Sequence, residues 1–216
     1  MFVNVNEPTL AKLLALLADC GWADMDKDDM DAIADRAECC FNCGASKGVF
    51  WRDDWDFVIK VPLYSRGARY DYCQLEVDAY DKILADYPDC ACLFAETCYI
   101  GKYGELYVYA QRKVNSTLAD FYSGELEDIK WWGNLSRKCY GQLPKFPLVS
   151  KRYSCLCASR LNKVFFILVL WKFGVKALRS LCDWIEDTEQ DDLHDNNVGL
   201  NDNHTPVIFD FSGFDG

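Results

Sequence analysis

The segment Asp56-Phe57-Val58-Ile59-Lys60-Val61 decides how this chain is expected to fold. Its β-branched and aromatic residues favour a strand, so residues 55–61 are predicted to form a β-strand with alternating faces. Lys60 lies inside this strand, with an apolar neighbour on each side. Burying an ammonium group without a partner is costly, so Lys60 is expected to pair with an acid or to reach a ligand.

The helix predicted over residues 71–86 supplies a candidate for that acid. Tyr72, Glu76 and Tyr80 are four residues apart, which places Glu76 on a helical stripe that is expected to face the core. Lys60 and Glu76 are both charged residues at positions where apolar residues are expected. If they meet, they form an ion pair in which each neutralises the charge of the other. The alternative is that Lys60 extends its head group towards solvent and that Glu76 lies at the edge of the stripe.

The rest of the chain has strands mainly in its first half and helix mainly in its second half. Apolar periodicity predicts further helices over residues 8–18, 28–39, 117–121 and 161–186, and further strands over 92–99, 106–114 and 207–211. Gly101-Lys102-Tyr103-Gly104 is typical of a hairpin connection. Residues 123–158 are predicted to be irregular. Strands grouped ahead of helices indicate an α+β fold.

The charge balance is acidic overall and unevenly distributed. The 216 residues include 34 Asp and Glu and 23 Lys and Arg, which gives a formal net charge of −11. This balance argues against general nucleic-acid binding and against attachment to anionic membranes. Residues 130–179 nevertheless contain eleven Lys and Arg and no acid. This basic segment is expected either to pair with the protein's own acidic N-terminal helices or to contact an acidic partner.

The N-terminal residues, the cysteines and the longest apolar stretch lead to an expectation about cellular location. The first residues lack the basic start and the apolar run of a secretory signal, so a cytoplasmic protein with reduced thiols is expected. The most apolar stretch, residues 164–171, is too short to span a bilayer. Cys40 and Cys43, with Cys39 beside them, leave zinc binding open as a weaker alternative, because no second pair at finger spacing occurs.

Two polar motifs near the end of the sequence have the spacing of a phosphoryl-transfer site. Asp191-Asp192-Leu193-His194-Asp195-Asn196-Asn197 contains an Asp followed five residues later by an Asn. Asp210 comes thirteen residues after Asn197, at the end of the apolar run 207–209. Carboxylate and amide oxygens suit Mg²⁺, and a carboxylate can accept the proton of an attacking hydroxyl.

With these spacings, the chain resembles the protein-kinase-like superfamily over residues 44–216, and its form Asp192-Leu193-His194-x-x-Asn197 looks closer to reduced bacterial or phage kinases. The resemblance implies a two-lobe fold with a small antiparallel N-lobe sheet. It also implies ATP and Mg²⁺ as cofactors, and a role for each matching residue. Lys60 would hold the nucleotide phosphates, Glu76 would orient Lys60, Asp192 would be the base, Asn197 and Asp210 would bind metal, and His194 would contact the transferring phosphate.

Other nucleotide-binding positions follow from the same resemblance. Gly44 and Gly48 are similar to a phosphate-covering glycine-rich loop, although their spacing departs from G-x-G-x-x-G, and an ordinary turn explains them almost as well. Gln111 and Val114 fall where the adenine-binding hinge would lie. The expected domains are an acidic helical segment over 1–43, an N-lobe over 44–114, and a minimal C-lobe over 115–216 with a basic insert at about 123–160.

Several departures from the family pattern leave two functions open. Gln190-Asp191-Asp192 stands where His-Arg-Asp or His-Gly-Asp is usual, and Ser212 replaces the glycine after Asp210-Phe211. The sequence stops six residues after Asp210, so a truncated helical C-lobe is expected. The first hypothesis is a minimal Ser/Thr protein kinase of phage or bacterial type that acts on a host protein. The alternative is a catalytically poor pseudokinase that binds and inhibits a host or defence protein.

Overall fold

The computed structural model describes residues 2–20, 27–44, 46–63, 71–117, 163–188, 193–194, 196–201 and 205–211. The protein is a mixed α+β fold that divides into two compact units. Unit 1 comprises Met1–Asp78 and Glu96–Lys113, and unit 2 comprises Ala79–Ala95 and Val114–Gly216.

Unit 1 begins with two short amphipathic helices, α1 (Pro8–Ala18) and α2 (Lys27–Ala37). Glu7 caps α1, because its carboxylate accepts hydrogen bonds from the backbone N–H groups of Thr9 at 3.1 Å and Leu10 at 2.7 Å. The apolar stripe of each helix is buried. The bounds of α1 match the prediction, and those of α2 lie within two residues of it.

A five-stranded antiparallel sheet forms the body of unit 1. Its strands are β1 (Cys40–Cys43), β2 (Lys47–Trp51), β3 (Phe57–Pro62), β4 (Thr97–Tyr103) and β5 (Leu106–Arg112), in the spatial order β1-β2-β3-β5-β4. Helix α3 (Tyr72–Asp86) follows β3 in the chain and precedes β4. The β4–β5 turn contains Gly104, whose φ of 59° favours glycine. The predicted hairpin is therefore present, and its turn lies at the last of the four quoted residues.

One face of the sheet carries apolar side chains, and the opposite face carries several polar side chains. The apolar face shares one buried core with α1 and α2; its members include Phe50, Ile59, Val61, Val108 and Ala110. The 1–43 segment thus packs into the same core as the sheet. On the opposite face lie Lys47, Lys60, Tyr109 and Gln111, because alternate residues of a strand point to opposite sides.

Unit 2 is built around the helix α4 (Lys163–Asp187). Gly174, with φ 80° and ψ −175°, interrupts α4 and divides it into two helical segments joined by a kink. The buried faces of both segments pack with Ile83, Leu93 and Phe94. Tyr87 donates a hydrogen bond of 2.7 Å to Asp187, which ties the end of α4 to the chain that follows α3.

A second, three-stranded antiparallel sheet completes unit 2. Its strands are β6 (Ser116–Thr117), β7 (Val198–Asn201) and β8 (Thr205–Ile208), with β7 in the centre. The backbone of Ala95 donates a 2.8 Å hydrogen bond to the carbonyl of Ile208, beside a parallel bridge between Phe94 and Ile208. In the part of the chain that the structure describes, no helix is both long and apolar enough to cross a membrane.

Two expectations about secondary structure need correction. Residues 92–99 are not one strand: a 3-10 helix covers Ala91–Leu93, and β4 starts only at Thr97, where pairing with Gln111 begins. Thr117 does not start a helix but belongs to β6, where it pairs with Gly199. Strands β1 and β7 were not predicted. Residues 118–162, which include the predicted irregular segment and most of the basic segment, lie outside the described residues.

Candidate functional site

The polar face of the unit 1 sheet holds a buried cluster of three charged side chains. Glu76 on α3 is fully buried, and each of its carboxylate oxygens accepts a hydrogen bond from a different lysine. Lys60 Nζ lies 2.8 Å from Glu76 Oε2, and Lys47 Nζ lies 2.5 Å from Glu76 Oε1. The side chains of Lys60 and Lys47 are 5% and 8% exposed. We refer to Lys47, Lys60 and Glu76 as the charge triad.

Strand register explains why both lysines reach the same carboxylate. In the antiparallel pairing of β2 with β3, Val49 lies opposite Lys60, and Lys47 lies opposite Pro62. Lys47 is two residues before Val49, so it points to the same face as Val49 and Lys60. The two lysines are therefore diagonal neighbours on one face of the sheet, and Glu76 on α3 lies within hydrogen-bonding distance of both.

The sequence predicts that Lys60 pairs with Glu76, but it does not single out Lys47. One feature of the sequence points to Lys47: it lies close to the strand residues Val49 and Phe50, in an apolar setting similar to that of Lys60. The β2–β3 register was also needed, and no local pattern gives a register between strands. Lys47 is the functional candidate that the structure adds.

Asp71 fixes the start of α3 relative to the sheet. Its Oδ1 accepts hydrogen bonds of 3.0 Å from the backbone N–H groups of Cys73 and Gln74, as an N-cap residue does. Its Oδ2 accepts a 2.6 Å hydrogen bond from the hydroxyl of Tyr109, which lies opposite Lys60 on β5. This cap positions α3 so that Glu76, just over one turn after Asp71, meets the lysines.

The pKa of the Cys73 thiol reflects how deeply the surroundings of the charge triad are buried. Burial raises the pKa of its thiol well above the ordinary value, and the nearby Glu76 carboxylate raises that pKa further, while Lys47 and Lys60 oppose the rise. A thiol with a raised pKa stays protonated and unreactive at neutral pH. Cys73 is therefore a buried neighbour of the charge triad and not a nucleophile.

The two glycines expected to cover phosphates have different settings. Gly44 lies in the β1–β2 turn, where its N–H donates a 3.0 Å hydrogen bond to the carbonyl of Lys47, and nothing lies within 4 Å of a Cβ built there. Gly48 is inside β2, and a Cβ there would lie 2.9 Å from Phe41 and 3.0 Å from Val61. Close packing alone therefore accounts for Gly48, whereas Gly44 is in an open turn.

Gln111 and Val114, the residues expected at an adenine-binding hinge, lie at the end of β5 and just beyond it. Gln111 is almost completely buried on the polar face of the sheet, and its pairing partners are Val58 and Thr97. Its Nε2 has no hydrogen-bond partner among the described residues. A buried amide donor of this kind is available to a ligand. Val114 is half-buried and begins the second segment of unit 2.

In unit 2, the β7–β8 hairpin brings Asn197 and Asp210 together. Val198 pairs with Ile208, so Asn197 and Phe209 flank the open end of the hairpin. The carbonyl of Asn197 accepts hydrogen bonds from the N–H groups of Phe209 at 3.0 Å and Asp210 at 3.3 Å. The next residue, Phe211, is buried and packs edge-on against Phe94, with ring centroids 5.3 Å apart. Core packing thus holds Asp210 beside Asn197.

His194 lies in the turn that leads into Asn197. The N–H of Asn197 donates a 2.8 Å hydrogen bond to the carbonyl of His194, and the N–H of Asn196 donates a 3.2 Å hydrogen bond to His194 Nδ1. An Nδ1 atom that accepts a hydrogen bond leaves Nε2 as the donor of a neutral imidazole. Asp192, the expected base, lies outside the described residues.

The described residues do not support zinc binding by Cys40 and Cys43. Cys40 and Cys43 lie on β1 at positions of opposite parity, so their side chains point to opposite faces of the strand. No group of three or more His, Cys, Asp or Glu side chains that could hold a metal ion occurs within the ranges that the structure describes. Asn197 and Asp210 offer oxygen donors for Mg²⁺, which usually takes only one or two protein carboxylates together with phosphates and water.

Comparison with known proteins returned nothing: no family model, no curated protein and no solved structure matches the chain. Inference about function therefore depends on the side chains themselves. Unit 1 contains a charge triad with a buried amide donor on the same face, and unit 2 contains an Asn–Asp pair joined through the backbone. The first arrangement suits an anion, and the second suits a hard cation.

Proposed function

We propose that this protein is an ATP- and Mg²⁺-dependent phosphotransferase related to the protein-kinase-like superfamily, with a Ser or Thr hydroxyl of a protein as acceptor. The observation that carries the proposal is the buried ion pair between Lys60 on β3 and Glu76 on α3. The sequence predicts that each of these two charges needs a partner, and their side chains meet at 2.8 Å. This is the pair that such an enzyme uses to hold the nucleotide phosphates.

Energetics support a ligand-binding role for this ion pair. Removing charges from water costs several kcal/mol per ion, and well-packed apolar residues often stabilise a fold as well as a buried ion pair does (~1–4 kcal/mol better in some cases). The sheet already has a complete apolar core on its other face. Buried charges on the polar face therefore contribute little that apolar residues could not, and a charged ligand gives a reason for them.

The arrangement of strands in unit 1 is compatible with the small antiparallel lobe that the resemblance implies. The helix that carries Glu76 lies between β3 and β4 in the chain, and β5 pairs with both β3 and β4. Lys60 lies near the middle of the sheet, where strands on both sides hold β3 in place. Gln111, with a buried amide donor without a partner among the described residues, is a candidate to read the base.

The residues of unit 2 take the metal and acceptor roles in the proposal. Asn197 and Asp210 would bind Mg²⁺ through their side-chain oxygens, and Asp192 would accept the proton of the attacking hydroxyl. His194 Nε2 would donate a hydrogen bond to the transferring phosphate, since Nδ1 is occupied as an acceptor by the N–H of Asn196. When bound, Mg²⁺ would neutralise charge on the phosphate oxygens.

The test combines thermal unfolding with transfer of labelled γ-phosphate to a general protein acceptor and to the protein itself. At 100 times its Kd, MgATP should stabilise the fold by about 2.7 kcal/mol, which raises Tm by roughly 5–10 °C for a chain of this size. Asp210→Asn, which preserves the shape of the side chain, should abolish transfer and reduce the Mg²⁺-dependent part of the shift.

Asp89→Asn is the matched control. Asp89 pairs with Lys176 at 2.7 Å on the surface of the same unit and has no role in the proposal, so its variant should behave as the wild type does. Absence of any MgATP-dependent shift in the wild type at millimolar nucleotide would refute the proposal. Nucleotide binding without transfer would instead favour the alternative of a pseudokinase that acts by binding another protein.

A further inference from the structure

We propose that Tyr109 is a positioning residue for the nucleotide site, and that it acts by holding Glu76 against Lys60. This inference rests on the proposed function and adds a residue to it. The Tyr109 hydroxyl holds the first turn of α3 at a fixed place on the sheet, and that place determines where the Glu76 carboxylate meets the lysine. Tyr109 does not touch the ligand itself.

The first argument is a hydrogen-bonded connection from β5 to α3. Tyr109 is 1% exposed, and its hydroxyl donates a 2.6 Å hydrogen bond to Asp71 Oδ2; the same hydroxyl lies 3.2 Å from Gln74 Oε1. The other oxygen of Asp71 accepts hydrogen bonds from the backbone N–H groups of Cys73 and Gln74, at 3.0 Å each. The two oxygens of one carboxylate therefore tie the sheet to the first turn of α3, and hydrogen bonds to a carboxylate are among the stronger ones in proteins.

The second argument is strand register. Tyr109 lies directly opposite Lys60 in the antiparallel pairing of β5 with β3, so both side chains project from one face of the sheet, with Cβ atoms about 4.5–5.5 Å apart. Glu76 comes five residues after Asp71, which corresponds to about 7.5 Å along a helix axis. The anchor of α3 and the lysine that Glu76 contacts thus start from the same cross-strand pair. A shift of the first turn of α3 away from Tyr109 should therefore move the Glu76 carboxylate relative to Lys60.

The third argument is that the contact between Lys60 and Glu76 tolerates little movement. Lys60 Nζ lies 2.8 Å from Glu76 Oε2, and N–H···O hydrogen bonds in proteins extend only to about 3.2 Å. The two side chains are 5% and 0% exposed, so water does not readily replace a contact that is lost. In the proposed enzyme Glu76 orients Lys60 towards the nucleotide phosphates, so a displaced Glu76 should weaken nucleotide binding from a distance.

Two variants interrupt the connection from opposite ends. Tyr109→Phe removes the hydroxyl and keeps the ring. Asp71→Ser keeps a residue that caps helices well, but it supplies one side-chain oxygen in place of the two that Asp71 uses. Tyr107→Phe is the matched control, because Tyr107 lies two residues earlier on the same strand and the same face, and is 41% exposed.

Calorimetric titration with MgATP and thermal unfolding are carried out on the same samples. Tyr109→Phe and Asp71→Ser should each weaken MgATP binding by about 3- to 10-fold, the range expected for the loss of one hydrogen bond. The double variant should bind no more weakly than the weaker single variant, because both changes interrupt one connection. Tyr107→Phe should bind as the wild type does. Folded Tyr109→Phe and Asp71→Ser variants that have a lower Tm but the wild-type Kd would show a purely structural connection, and would overturn the inference.

A second cycle tests whether Tyr109 acts through the ion pair. In Lys60→Met, Glu76 keeps its 2.5 Å contact with Lys47 but has no Lys60 ammonium group to orient. Adding Tyr109→Phe to Lys60→Met should therefore cause no further loss of MgATP affinity, although it should lower Tm as it does in the wild type. If Tyr109→Phe weakens MgATP by the same factor with and without Lys60, it does not act through the ion pair and the inference is wrong.

The same data separate failure of this inference from failure of the proposed function. If the wild type binds MgATP and transfers phosphate while Tyr109→Phe binds MgATP normally, only the role of Tyr109 is wrong. If the wild type binds MgATP without transferring phosphate and Tyr109→Phe weakens that binding only when Lys60 is present, the positioning role stands and the transferase activity fails. If the wild type does not bind MgATP, both proposals are overturned.

Discussion

The two faces of the five-stranded sheet in unit 1 bury different kinds of side chain. One face packs Phe50, Ile59 and Val61 against α1 and α2, and contains the apolar groups that stabilise the fold. The other face places Lys47 and Lys60 against Glu76. Neighbouring residues of one strand, such as Ile59 and Lys60, belong to different faces. Strand parity therefore separates, by one residue along β3, the apolar core from the face for which we propose ligand binding.

The largest effect on stability is expected from substitution of Glu76, whose carboxylate lies at the centre of the polar face. Glu76→Leu leaves two ammonium groups without their shared carboxylate, so it should lower the free energy of unfolding by about 3–5 kcal/mol. Urea denaturation measures the loss. If the polar face exists for a ligand and not for stability, the triple variant Lys47→Met/Lys60→Met/Glu76→Leu should regain most of that stability.

The triple variant should also bind no MgATP, because it lacks both lysines. A triple variant that is as unstable as Glu76→Leu would show that the charge triad itself stabilises the fold, and the contrast between the two faces would then be wrong. Equal m-values for wild type and variants are needed for this reading, since a changed m-value indicates a change in the surface exposed on unfolding.

Alanine substitutions at Gly44 and Gly48 should have smaller effects on stability, and the two effects should differ. Gly48→Ala introduces a Cβ that would lie within 3.0 Å of Phe41 and Val61, so overpacking should cost about 1–3 kcal/mol. Gly44→Ala meets nothing within 4 Å, and its stability should stay within about 0.5 kcal/mol of the wild type. Thermal unfolding without ligand checks both values. The reverse order of stabilities would contradict the packing explanation for Gly48.

The smallest effect concerns thiol reactivity beside the charge triad. Because burial raises the pKa of Cys73 well above its ordinary value, its thiolate is scarce at pH 8, and iodoacetamide should label it far more slowly than the exposed Cys40. Peptide mapping by mass spectrometry measures both rates. Labelling of Cys73 as fast as Cys40 in the folded protein would mean that the polar face is open to solvent, contrary to the burial of Glu76.

Local patterns in the sequence were enough to predict much of unit 1. The apolar stripe of 8–18 gave α1 with its bounds, and the Tyr72–Glu76–Tyr80 spacing placed Glu76 on the buried side of α3. The meeting of Lys60 with Glu76 followed from two charges that each needed a partner. These inferences worked because helix periodicity and unpaired charges are properties of a short segment or of one residue.

What could not be predicted depends on pairing between distant segments. Thr117 looked helical until its pairing with Gly199 placed it in β6, and β7 is only four residues long. Lys47 became a candidate only when the β2–β3 register put it beside Lys60. Short strands carry little periodic signal, and register is set by tertiary packing.

The most direct test of the central claim compares two adjacent residues on opposite faces. Calorimetric titration with MgATP is carried out on wild type, Lys60→Met and Ile59→Val, with unfolding measured on the same samples. We expect Lys60→Met to stay folded and to lose at least about tenfold in MgATP affinity. Ile59→Val should lose about 0.5–1.5 kcal/mol of stability and keep the wild-type Kd. A folded Lys60→Met variant with the wild-type Kd for MgATP would contradict the account.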